Sequence, residues 1–177
     1  MGKKNNSMLL KERYNLYVYH LDEDSSKKCT AKKLAKFNLI KLVKTSKLLP
    51  KEAILLNPSS KKVLSKEDKN IKNIVAIDCS WKNVDNFFMN FKHKMHSRAL
   101  PYLIAANPTN YGKPFMLSTA EALSAALYMF DEKEHAKILL SKFKWGLHFI
   151  QLNKMPLEDY RKAKNSKEVI EAMKEYL

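Results

Sequence analysis

Residues 73–78 read Asn-Ile-Val-Ala-Ile-Asp, and no other stretch limits the fold as much. Its central side chains are apolar without a break. As a strand, such a run has no face to give to water. It therefore belongs inside a sheet covered on both sides, the usual setting of parallel strands. Shorter β-forming runs at 16–20, 39–43, 53–56 and 103–106 are separated by long connections, which fits crossovers and a mostly parallel sheet. Asn57-Pro58 and Asn107-Pro108 close two of these runs with turn chemistry.

Helices are expected at 31–37, with Thr30 as N-cap, and at 65–71, and a helix or a helix-rich loop at 81–91. The pattern changes at Ser118. Ser118-x-x-Glu121 is a capping box, and Leu123, Ala126, Leu127 and Phe130 follow at helical spacing. Helical patterns continue over 132–141, 145–153, 156–164 and 167–177. Strands thus fill the first two-thirds of the chain and helices the last third. Residues 1–13 read as a mobile basic tail.

Composition removes several function classes. Only Gly2, Gly112 and Gly146 are glycines, so neither a phosphate-cradling loop nor a dinucleotide fingerprint can be built. Cys29 and Cys79 stand far apart with no CxxC, and cannot form a thiolate zinc site by themselves. Reduced cysteines, a start without a long apolar core and the lack of a membrane-length apolar run make the cytoplasm the expected location and exclude a membrane span. Lys and Arg number 33 against 18 Asp and Glu, a net charge of +15. A surplus of this size attracts polyanions through counterion release, and RNA is the expected partner.

Ligands of open parallel sheets bind beyond the carboxyl ends of the strands. Segments 22–30, 78–81 and 107–115 and the Asn57-Pro58 turn qualify. Asp78 ends an apolar strand, where a partly desolvated carboxylate can serve as a proton acceptor; capping the next element is the other reading. Trp81 offers a face to a sulfonium cation or a stacked base, or is a core residue. The helix start at Thr30 aims amides outward and favours a carboxylate, as does that at Ser118 and Thr119; plain capping explains both equally. His93 and His96 lack paired acids, so no metal site is expected there. Lys27, Lys28, Lys32, Lys33 and Lys36, and again Lys92, Lys94 and Arg98, either track an RNA backbone or are simply solvated.

Several segments, in order, resemble the small-subunit rRNA aminocarboxypropyltransferase family of ribosome biogenesis factors. They are Lys28-Cys29-Thr30-Ala31-Lys32-Lys33-Leu34, Leu56-Asn57-Pro58, Asp78-Cys79-Ser80-Trp81, Arg98-Ala99-Leu100-Pro101-Tyr102-Leu103, Ala105-Ala106-Asn107-Pro108, Asn110-Tyr111-Gly112, Leu117-Ser118-Thr119-Ala120-Glu121-Ala122-Leu123, and Lys144-Trp145-Gly146 with Leu152-Asn153. The resemblance implies an α/β fold: a mostly parallel sheet in an N-terminal lobe (1–99) with a SPOUT-like trefoil knot, and an all-helical C-terminal lobe (100–177). S-adenosylmethionine would lie in the cleft between the lobes. Thr30 would hold its carboxylate, and Ile77, Leu100, Phe115 and Thr119 would surround the nucleoside, mostly through backbone groups. Trp81 would pack near the methyl and sulfonium, and Asp78 would be the base. No metal is implied.

The implied reaction moves the 3-amino-3-carboxypropyl arm to N3 of a uridine or pseudouridine in small-subunit rRNA, leaving methylthioadenosine. The implied protein is a monomer acting on rRNA or a pre-ribosomal subunit. Two other readings remain at this stage: a SPOUT-like RNA methyltransferase, which would release S-adenosylhomocysteine, and a non-catalytic assembly factor that binds pre-ribosomal RNA.

Overall fold

The computed structural model describes residues 13–22 and 29–177. The expected basic tail, apart from Arg13, and the expected RNA contacts Lys27 and Lys28 lie outside them. Five strands and seven helices follow in the order β1 (Asn15–His20), α1 (Thr30–Lys36), β2 (Lys41–Val43), β3 (Ile54–Leu56), β4 (Asn73–Asp78), α2 (Val84–Asn90), β5 (His96–Arg98), α3 (Thr119–Met129), α4 (Lys133–Leu140), α5 (Gly146–Leu152), α6 (Lys154–Lys162) and α7 (Ser166–Met173). The strands form one sheet in the order β2-β1-β4-β3-β5. Every pairing in it is parallel.

The unbroken apolar run became β4, the central strand, and both of its faces are covered. Ile74 and Ala76 join the main core with Leu16 and Val18 of β1, Ala31 and Leu34 of α1, and Leu123 and Leu127 of α3. Val75 points the other way, into a smaller cluster with Ala53 and Leu55 over which Phe88 and Phe91 pack. Period-2 geometry then sets the strand ends. His20 lies on the face of Leu16 and Val18, and Asp78 on the face of Ile74 and Ala76. The two residues pair across the sheet. From β1 the chain leaves toward β2, and from β4 toward β5, in opposite directions across the sheet. This divergence opens a crevice at the ends of β1 and β4, the topological switch point where ligands of such sheets bind.

The capping box at Ser118 forms: Glu121 N–H donates to the Ser118 hydroxyl at 3.3 Å, and Ser118 N–H to the Glu121 carboxylate at 2.7 Å. Glu121 does more than cap. It is fully buried and also accepts from the amides of Ala106 (2.7 Å) and Asn107 (2.9 Å) and from Asn107 Nδ2 (2.7 Å). A buried carboxylate is tolerable only when so satisfied, and these bonds pin the Asn107-Pro108 turn to the start of α3. Gly146 has its own reason. A Cβ there would lie 1.9 Å from the Leu140 carbonyl oxygen, so only glycine lets α5 start this close to the end of α4.

Four expectations need correction. The run at 103–106 is not a sheet strand. Phe115 N–H bonds to Leu103 O, Ala105 N–H to Lys113 O, and Gly112 N–H back to Ala105 O. The Asn153 amide satisfies both backbone groups of Ile104. With its hydrogen bonds spent on its own turn and on a side chain, the segment has none left for the sheet, and β5 is instead His96–Arg98. The helix expected at 65–71 is a single 3-10 turn, Lys66–Asp68. The helix or helix-rich loop expected at 81–91 is helical only over Val84–Asn90, with Trp81 in the preceding turn. Finally, the N-cap of α1 is Cys29, whose sulfur accepts from Lys32 N–H, and Thr30 is the first helical residue.

No helix among the described residues is long and apolar enough to cross a membrane. The late helices are joined by charge as well as packing. Glu158 of α6 accepts from Tyr128 of α3, Lys133 of α4 and Arg161 of its own helix. The Arg161 guanidinium first, then Lys133 and Tyr128, hold its carboxyl down to about 2 from an ordinary 4.5. A depressed carboxyl contributes stability above its unfolded value and loses it as pH falls through the folded one. The side chain keeps 25% of its exposure, so the contribution is on the order of 1 kcal/mol, or roughly 2–4 °C in Tm for a chain of this size. The Tm advantage of the wild type over Glu158→Gln is expected to be present at pH 6 and to vanish between pH 4.5 and about pH 2. Thermal unfolding of the two proteins across that range measures it.

Candidate active site

At the crevice beyond β1 and β4 the structure opens a cleft of about 1390 Å³. Single small-molecule pockets run to roughly 300–1,000 Å³, so there is space for a cofactor and part of a second substrate. All seven residues singled out in the sequence line it: Asp78 and Ile77 at the end of β4, Thr30 at the start of α1, Trp81 in the turn before α2, Leu100 after β5, and Phe115 and Thr119 on either side of the α3 cap. Residues almost ninety positions apart meet because α1 and α3 start side by side. The Thr30 hydroxyl accepts the backbone N–H of Ala120 at 3.2 Å, stitching the two helix starts together.

The site holds a mixture suited to an amphipathic cation with an anionic tail. Two helix N-termini supply amides without intrahelical partners. Trp81, half-buried, supplies an aromatic face. Asp78 supplies a carboxylate with 14% side-chain exposure. Its Oδ2 accepts from Cys29 Sγ at 3.0 Å and lies 3.1 Å from His20 Nε2, which also meets Cys29 Sγ at 3.4 Å, and Oδ1 meets the Thr119 hydroxyl at 3.4 Å. The backbone groups of Phe115 each have a partner. Its N–H is given to Leu103 and its carbonyl accepts from Leu117, while its φ of 63° holds it in the left-handed region. A bulky residue there is strained and is retained by its surroundings. What Phe115 offers the cleft is its ring, 48% exposed and edge-on to Tyr102 at 5.5 Å.

Two members of this constellation were not read from the sequence. Cys29 was read as an ordinary reduced thiol and His20 had no partner, because order alone cannot place a strand end against a helix cap. His20, Cys29 and Asp78 are also the one trio among the described residues whose ligand atoms could converge on a metal ion, all within 4.8 Å of one another. The Cys29 thiol donates to Asp78, and His20 Nε2 lies 3.1 Å from Asp78 Oδ2 and 3.4 Å from Cys29 Sγ, so the three side chains already contact one another. Burial, helped by the bond to Asp78, pushes the Cys29 thiol up to about 11.

The basic clusters divide. Lys33 lines the cleft and sits over the Phe143 ring at 5.1 Å. Arg98 is committed elsewhere: its side chain is 12% exposed and paired to the buried Asp68 at 2.9 Å, which removes it from the expected RNA contacts. His93 stacks on Phe91 at 5.3 Å and accepts the Met95 N–H; burial holds its pKa below the ordinary value.

A parallel α/β sheet with a deep cleft at its switch point, lined by a carboxylate and an aromatic face, is the arrangement of a small-molecule-binding α/β enzyme. The comparisons with known proteins make this particular. Residues 54–177 match the family described as "Ribosome biogenesis protein, C-terminal". The 16S rRNA aminocarboxypropyltransferase of Methanocaldococcus jannaschii is 48% identical over 165 residues, covering 92% of this chain and 95% of the relative. That of Methanococcoides burtonii is 46% identical over 166 residues, covering 93% and 95%. The solved structure of the SAM-dependent rRNA:acp-transferase Tsr3 from Vulcanisaeta distributa superposes with a TM-score of 0.83 at 38% identity, covering 93% of this chain and 96% of that one. The chain belongs to the 16S rRNA aminocarboxypropyltransferase family.

Residues 14–48 also match a model described as "Possible Fer4-like domain in RNase L inhibitor, RLI". An iron–sulfur cluster needs about four thiolates. Cys29 is the sole cysteine of that segment and Cys79 the only other in the chain, so the residues do not fit a cluster.

Proposed function

We propose that this protein transfers the 3-amino-3-carboxypropyl group of S-adenosylmethionine to N3 of a uridine or pseudouridine in small-subunit rRNA, releasing methylthioadenosine. The observation that carries this reading is the cleft itself. It sets an aromatic face, two helix starts and a carboxylate around one volume large enough for the cofactor and a base extruded from its stack.

The chemistry follows from what each group can do. A sulfonium is open to attack at its methyl and at the γ-carbon of its amino-acid arm, and the one that reacts is the one in line with the nucleophile. Trp81 covers the sulfonium and hides the methyl. The helix starts at Thr30 and Thr119 take the arm's carboxylate through oriented amides, which turns the γ-carbon toward the open part of the cleft. Ile77, Leu100 and the Phe115 ring enclose the nucleoside. Asp78 receives the N3 proton as the new N–C bond forms and the C–S bond breaks, with its electron pair passing to sulfur. The net charge of +15 draws the RNA backbone to the protein.

The same reading includes a division into an α/β lobe over 1–99 and a helical lobe over 100–177, a SPOUT-like trefoil knot in the first, and a cytoplasmic monomer acting on rRNA or a pre-ribosomal subunit. What supports the division is that β1 to β5 all precede residue 99 while α3 to α7 follow residue 118. What supports a monomer is that α1 and α3 already cover the main core face of the sheet. The knot rests on the family resemblance.

The experiment is a pair of labels. Cofactor labelled in its carboxyl group is expected to pass label to rRNA, and cofactor labelled in its methyl group is expected to leave it on methylthioadenosine. Methyl label in the RNA with S-adenosylhomocysteine as by-product would establish a methyltransferase instead. No transfer of either would leave an RNA-binding assembly factor.

A further inference from the structure

Asp78 is gripped from behind. Two side chains from separate elements meet its Oδ2: Cys29 at the cap of α1 donates to it at 3.0 Å, and His20 at the end of β1 stands with Nε2 3.1 Å away. Both are buried, and the His20 side chain is 1% exposed. Cys29 and Asp78 line the cleft, whereas His20 stands behind them. His20 Nδ1 is held by Asp22, whose N–H it meets at 2.9 Å and whose carboxylate lies at 3.0 Å, so Nε2 is the ring atom turned to the pair, 3.1 Å from Asp78 Oδ2 and 3.4 Å from Cys29 Sγ. The thiol, held protonated around neutral pH by burial and by Asp78, is a donor here and not a nucleophile.

We propose that His20 and Cys29 are positioning residues for the transfer reaction, a clamp that occupies Oδ2 of Asp78 and leaves Oδ1 to the acceptor's proton. The proposal rests on the reading of Asp78 as the base. The terminal torsion of an aspartate is broad and close to two-fold, so a carboxylate at a strand end has no intrinsic reason to keep one oxygen toward the substrate. The clamp gives it one. On the other side Oδ1 meets the Thr119 hydroxyl at a long 3.4 Å, and that contact can open when a substrate arrives. Displacement by about 1 Å can reduce turnover on the order of a hundredfold, so loss of either contact is expected to act on the chemical step with little effect on the cofactor.

The test compares variants without a polar group there, His20→Leu and Cys29→Ala, with variants that keep one, His20→Gln and Cys29→Ser. Each is made with Asp78 intact and in an Asp78→Asn background. Turnover on rRNA and cofactor affinity are measured separately. His20→Leu and Cys29→Ala are expected to lose about tenfold or more in kcat, with cofactor Kd within about threefold. Gln and Ser are expected to recover most of the loss. In the Asp78→Asn background none of the four should lower kcat further, because the group being positioned is gone.

Wild-type kcat in the Leu and Ala variants, or an equal loss in both backgrounds, would overturn the clamp while leaving the base assignment intact. Wild-type turnover in Asp78→Asn alone would remove the base assignment first, and the clamp with it. Stoichiometric metal in the purified protein, with activity lost on chelation, would replace the clamp by a metal site on the same three side chains. Should His20→Leu fail to fold, the Cys29→Ala and Cys29→Ser pair makes the same comparison.

Discussion

Asp78→Asn is expected to lower turnover by roughly two to three orders of magnitude, in the range of a lost general base, while cofactor Kd moves little. The substitution is nearly isosteric. Its amide oxygen can take the place of Oδ2, keeping the Cys29 bond and the His20 contact, so the ends of β1, α1 and β4 stay joined. Its NH₂ then stands where Oδ1 was, beside Thr119. That position changes from an acceptor to a donor, and a proton leaving N3 has no base to go to. Single-turnover kinetics with rRNA, alongside cofactor titration, separates this from a binding defect. Unchanged turnover would remove Asp78 from the mechanism, and a large rise in Kd would make it a cofactor anchor.

The second large effect is expected at Trp81, and its signature is in the products. Trp81→Ala opens the pocket around the methyl group. Loss of the aromatic face should weaken cofactor binding by about tenfold or more, from the cation–π contribution and the buried ring area together. With the methyl no longer covered, both electrophilic carbons become accessible. A detectable share of S-adenosylhomocysteine should therefore appear beside methylthioadenosine. Chromatography of a completed reaction reads both. Weaker binding with methylthioadenosine as sole by-product would mean that Trp81 holds the cofactor but does not choose the carbon.

Much of the site was legible because its residues sit at element ends with a chemical reason to be there. The apolar run 73–78 announced a central strand, so its terminal Asp78 could be placed at a ligand-binding edge. The capping box at Ser118 located the start of α3 to the residue. The segment 103–106 misled because β-forming residues satisfy a strand pattern whether they bond to a sheet or, as here, to a local turn and to Asn153. The cap of α1 was misplaced by one residue, since cysteine is a rare cap and threonine a common one. That single step hid the contact between Cys29 and Asp78. The His20 contact was beyond reach, as it depends on strand register across a parallel pair, which no local pattern encodes. The burial of Glu121 and of Arg98 with Asp68 was hidden for the same reason: a charged side chain reads as solvated until its partners are in place.

The bond between the Thr30 hydroxyl and the Ala120 amide carries a consequence for biosynthesis. One wall of the cavity is translated early and the other some ninety codons later. A nascent chain halted before α3 has emerged lacks Thr119, Ala122, Phe143, Trp145 and Met173 from the cavity wall, together with the amide that Thr30 grips, so the cavity is complete only once the late helices have been made.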